Sequence, residues 1–154
     1  MLFFLGGTFI INLLIFVIAY KVLYNKRKLF SDRYGMVMAM CTSGILSLNI
    51  GMSIEFLFFN SLSLNAWFAA VIGGAIGICF GSLVKFQSLL SGFFHGVVGS
   101  MMGIMLGAIV KNPALCSLPA SYLMSVNENI FIFSLFGTVL VIMTFCLVYY
   151  SLIV

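Results

Sequence analysis

The chain has 154 residues, of which 64% are hydrophobic and 6% charged, with a mean hydropathy of +1.28 and a formal net charge of +4. Soluble domains carry roughly a quarter charged residues, and seven basic plus three acidic side chains, ten together, do not coat a 16.9 kDa globule. A water-soluble fold is therefore excluded, and lipid becomes the solvent for most of the chain.

The first apolar run, residues 2–24, is long enough to cross a hydrocarbon core at about 20 residues per crossing. It lacks a basic leader and carries its charge on the C-terminal side, so it reads as a retained anchor rather than a cleaved signal. A basic loop follows over 25–34. Lys26, Arg27, Lys28 and Arg33 in this loop and Lys21 just before it, five of the seven basic residues, are grouped where the first apolar run gives way to the second. That pattern marks a cytoplasmic loop, also attractive to anionic head groups, and argues against nucleic acid as a partner.

The second span covers 35–59 and holds a small-residue series, Met40, Gly44, Ser47, Gly51 and Glu55, at steps of four, three, four and four. Glu55 is the one acidic residue inside a span, about four residues or ~6 Å from its end. An ionisable group at that depth needs a partner and is a candidate cation or proton site, the alternative being a solvated interfacial carboxylate. Asn49 and Ser53, one turn apart, and Asn12 in the first span are candidates for hydrogen bonds between helices.

After a polar link at 60–65, the third span runs over 66–84. Ala66, Ala70, Gly73, Gly74, Gly77 and Gly81 lie within about 100° of one another on a helix. Past a tight link at 85–88, the fourth span covers 89–110, where Gly92, Gly96, Gly99, Gly103 and Gly107 lie within about 80°. They form a G-x-x-x-G ladder broken once by a three-residue step. Glycine costs about 1 kcal/mol in a helix interior, so five on one face imply close approach of another backbone. Such faces serve either as contacts within the chain or as self-association surfaces that line or tighten a pore. His95 sits on the edge of the ladder with Met102 seven residues on, a weak soft-ligand pair for a metal such as copper. Met101 and Met105 point elsewhere, and methionine is an ordinary filler of apolar helices.

A longer segment over 111–129 holds both prolines and Cys116, and the fifth span covers 130–153. Cys41, Cys79 and Cys146 lie within spans and no C-x-x-C pair exists, so neither a disulfide nor a zinc ribbon is implied. With the basic loop inside, alternation puts the N-terminus outside and the C-terminus inside. Six basic residues then lie inside and only Lys111 outside. Tyr20, Tyr24, Tyr34, Tyr149 and Tyr150 mark the inner interface, and Trp67 and Tyr122 the outer one. Glu55 and His95 fall near opposite faces of a ~30 Å core, which rules out a dyad.

The run from Gly92 to Gly107, Gly-Phe-Phe-His-Gly-Val-Val-Gly-Ser-Met-Met-Gly-Ile-Met-Leu-Gly, resembles a group of small Gram-positive polytopic membrane proteins. In that group a glycine ladder ends in Met-Met-Gly-x-Met-Leu-Gly, and the likeness extends back to Gly35. The resemblance implies a membrane architecture and a bacterial origin, and no activity.

The sequence thus predicts an all-α bundle of five transmembrane helices, a single transmembrane domain over 1–154, in a bacterial cytoplasmic membrane. No Ser, His and Asp set, phosphate-binding glycine loop beside a lysine, or carboxylate cluster is present, so neither an enzyme nor a cofactor is expected. The expected role is a non-catalytic accessory or assembly subunit, partnered by the bilayer and by other membrane subunits or further copies of itself. The alternative is a small transporter or channel, for a metal ion or proton-coupled, with its path along the glycine faces.

Overall fold

In lipid every backbone N–H and C=O must be satisfied internally, so a chain this apolar crosses as helices. The computed structural model describes residues 2–26, 31–58, 61–112 and 126–152, and all secondary structure among them is helical. The helices are α1 (Leu2–Lys26), α2 (Asp32–Leu57), α3 (Leu62–Gly81), α4 (Phe86–Lys111) and α5 (Val126–Ser151). Each is long and apolar enough to span a membrane. Arg27, Lys28, Cys116, Tyr122, both prolines and the end of the fifth span lie outside the described residues.

The helices do not stop where the apolar runs stop. Helix α3 begins at Leu62 rather than 66 because Ser63 and Asn65 continue the helix, with Asn65 turned into the interior at 2% exposure. It ends at Gly81, and Leu83 and Val84, apolar but not helical, close a tight turn through bonds to the carbonyls of Phe80 and Gly81. Leu83 is buried there, and Val84 packs onto Gly35 of α2. Ser31 caps α2, its hydroxyl accepting from the Tyr34 N–H at 3.4 Å. At α5 the polar turn before residue 130 is also helical, with Glu128 near the positive end of the helix dipole.

Helix α2 is central, with 67% of its membrane-length window buried, against 17% for α1 and 28% for α5. It packs with α3 and α4 as a three-helix block, and α1 and α5 lie alongside. Phe80 of α3, fully buried, joins the two parts, its ring 5.5 Å from Phe16, 6.3 Å from Tyr20 and 6.2 Å from Phe145. A second apolar cluster, Leu5, Met52, Phe56, Val110 and Ile130, closes the opposite end.

Candidate functional site

The glycines of α4 are all in use inside the chain. A Cβ added at Gly92 would lie 2.5 Å from the Gly77 carbonyl oxygen, and one at Gly96 would run into the Gly73 carbonyl. At Gly99 it would meet the Gly44 carbonyl oxygen and Ser47 Oγ at 2.5 Å, and at Gly103 the Leu48 carbonyl. At Gly107 it would fall 3.0 Å from Glu55 Cβ. Gly81 is closed in the same way, 2.5 Å from Leu89 Cα, and Gly73 and Gly77 meet Gly96 and Gly92 reciprocally.

The three-residue step in the ladder thereby acquires a physical meaning. Gly92 and Gly96 face α3, while Gly99, Gly103 and Gly107 face α2. The break is the point at which one glycine series hands over to another on a different neighbour. Ser100 completes the first series at the same four-residue spacing. Its side chain lies against Gly73 and its carbonyl against Gly51, so it touches both neighbours at the crossing. The Ser100 spacing from Gly96 was visible in the sequence, but a serine does not stand out among glycines. Two hydroxyls add bonds between helices, Ser43 to the Gly92 carbonyl and Ser88 to the Gly35 carbonyl, each 3.1 Å.

Glu55 has its partners. It is 6% exposed, with Oε2 accepting from Asn65 Nδ2 at 2.8 Å and Oε1 3.7 Å from Lys111 Nζ. The same ammonium donates to the Glu55 carbonyl and, at 3.2 Å, to that of Phe58. These carbonyls belong to the last turn and cap of α2, where helix acceptors lack partners of their own. One lysine therefore neutralises the carboxylate and caps the helix that carries it, and the cluster clips α2, α3 and α4 at one end. Lys111 and Asn65 were not singled out from the sequence, although alternation already placed Lys111 at the Glu55 end.

His95 is elsewhere. It is half-buried beside Gly44, with Nδ1 2.9 Å from the Ser91 carbonyl one turn back, to which an Nδ1–H donates. Gly44 and Glu55 are eleven residues apart on α2, ~16 Å along its axis, so His95 and Glu55 are not brought together. Met102 is 59% exposed on the outer side of α4. Among the described residues no group of three or more His, Cys, Asp or Glu side chains forms a possible metal cluster.

Asn12 and the Asn49 and Ser53 pair do not form the hydrogen bonds between helices expected of them. Asn12 Nδ2 donates to the Thr8 carbonyl of its own helix at 2.9 Å, and Ser53 Oγ binds the Asn49 backbone carbonyl at 2.8 Å. The carbonyl four residues back lies within reach of any helical side chain of this length, so it is met before a neighbouring helix. The Asn49 amide packs against Gly137 of α5, with neither end hydrogen-bonded among the described residues. The bond that does cross between outer helices, Thr8 to Ser134 at 3.2 Å, involves hydroxyls the sequence did not distinguish.

Compared with known protein families, curated proteins and solved structures, the chain matches none.

Proposed function

We propose that the chain is a non-catalytic accessory or assembly subunit of a larger membrane complex or a homo-oligomer. We place it in a bacterial cytoplasmic membrane with its N-terminus outside, as one of the Gram-positive glycine-ladder group. The observation that carries this reading is the division of labour among the helices. The glycine faces of α2, α3 and α4 are consumed by contacts within the chain, leaving a closed block, whereas α1 and α5 are largely uncovered. A closed block with outlying helices suits a part that holds neighbours in place. The six-to-one distribution of basic residues supports the orientation. Labelling of Cys116 by an impermeant thiol reagent in intact cells is expected, and labelling only after lysis would reverse it.

Sizing of the untagged protein in mild detergent tests the role. Migration with another membrane protein or as a defined multimer is expected, and a monomer at every detergent and protein concentration would overturn the reading.

The buried Glu55 favours a second reading, a proton- or cation-carrying protein, because ionisable groups in membranes mark ion pathways. A path along the glycine faces requires α4 to part from both neighbours. Proton flux into vesicles holding a trapped pH dye, abolished by Glu55→Gln with assembly intact, would establish this second reading. Under the first, the protein adds no flux to that of empty vesicles.

A further inference from the structure

Helices α1 and α5 run parallel and are in direct contact at one end. There Phe4 and Phe131 are in ring contact at 4.4 Å and Thr8 bonds to Ser134. Towards the other end a groove of about 280 Å³ lies between them, with Ile15, Ala19 and Val22 on one wall and Ile142, Cys146 and Tyr149 on the other. We propose that this groove is the seat of one anionic glycerophospholipid, with an acyl chain along the groove and the phosphate at Lys26.

Three observations select this occupant. The α5 wall runs from Ile142 to Leu152, ten residues or ~15 Å. That is one leaflet of a ~30 Å hydrocarbon core, the depth of an acyl chain. A transmembrane helix would need a face continuous across both leaflets, and the Phe4–Phe131 and Thr8–Ser134 contacts close the further half. Charge stands at the correct place. Ile15, Ala19, Val22 and Lys26 follow one another at four-, three- and four-residue steps and share a face of α1, so Lys26 tops the same wall. Its Nζ lies 5.4 Å from the ring centre of Tyr149, a groove residue, which fixes the ammonium over the mouth. Tyrosine and lysine at the water boundary are the side chains that hold head groups.

The full-length protein in nanodiscs of phosphatidylcholine with a minority of phosphatidylglycerol, released into native mass spectrometry, provides the test. The expected result is one retained phosphatidylglycerol per chain, out of proportion to its share of the bilayer. Lys26→Gln should lower that retention about fivefold, the weight of one basic residue at a membrane surface. Arg33→Gln removes the same charge from an exposed site outside the groove and should leave retention unchanged. Cys146→Phe fills the groove and should abolish retention. Melting curves in phosphatidylcholine alone show whether each variant is folded, and if Cys146→Phe is not, the comparison of Lys26→Gln with Arg33→Gln decides. Retention of both lipids in bilayer proportion, equal loss in the two charge variants, unchanged retention in Lys26→Gln, or a dimer that excludes lipid from the groove would each overturn the proposal.

Discussion

Helix α4 and helix α1 are both apolar, of nearly equal length, and each carries glycines, yet they are held by different physics. Along α4 five glycines and Ser100 bring backbones of two neighbours into contact, and an added Cβ at most of these positions collides with a carbonyl. On α1 a Cβ added at Gly6 or Gly7 meets nothing within 4 Å, and the helix is held by side chains such as Phe16, Tyr20 and Thr8. In lipid, burying an apolar face gives little advantage over leaving it in hydrocarbon, so association depends on how closely the chains fit. Glycine is therefore informative only where its missing side chain is filled by a neighbour.

The contrast is most sharply broken at the clip that closes the α2–α4 block. Lys111→Met leaves the Glu55 carboxylate buried without its counter-charge and is expected to destabilise the protein by about 3 kcal/mol, read from denaturant unfolding in detergent. Adding Glu55→Gln to it should restore most of that loss, because Asn65 still bonds the amide. Failure of the double variant to recover would show that Lys111 acts mainly as the cap of α2.

Within the ladder, Gly99→Leu and Gly103→Leu should each cost at least 1 to 3 kcal/mol, the usual range for overpacking, since the opposing atoms are backbone and cannot rotate away. Thermal stability in detergent measures this. Met101→Leu and Met105→Leu lie on the exposed side of the same helix, conserve volume and should fall well below the glycine variants. Equal effects on the two sides would mean that α4 is not held by backbone contact.

The smallest effect is expected on α1. Gly6→Ala and Gly7→Ala should be neutral or raise stability by up to about 1 kcal/mol through helix propensity alone. A loss of assembly size without a loss of stability would instead reveal that this face meets another protein.

Five helices and a glycine ladder were legible because both are written as periods and runs. What was not legible is which neighbour each glycine meets, since a four-residue repeat reads the same whether the partner is α2 or α3. The step between Gly96 and Gly99 was visible as an irregularity, but its meaning needs both neighbours in place. Helix ends were misplaced wherever hydropathy and backbone geometry disagree. Asn65 is polar yet helical and buried because Glu55 awaits it, and Leu83 and Val84 are apolar yet form a turn because they pack on the bundle. The Glu55 cluster draws on residues ten and fifty-six positions away, and no local pattern links such distances.

The same separations divide the burden of burying the acid between two helices. A carboxylate left alone in the membrane is costly, and among the described residues α2 by itself offers Glu55 no side-chain partner. Asn65 follows Glu55 by only ten residues, so the α2–α3 hairpin alone supplies a hydrogen bond to the carboxylate, without any contribution from α4. The counter-charge is carried by the last turn of α4, the helix whose ladder lies between both neighbours. The buried acid thus draws one partner from the next helix and its counter-charge from the far end of the ladder helix, and the ion pair latches a block held by backbone contact.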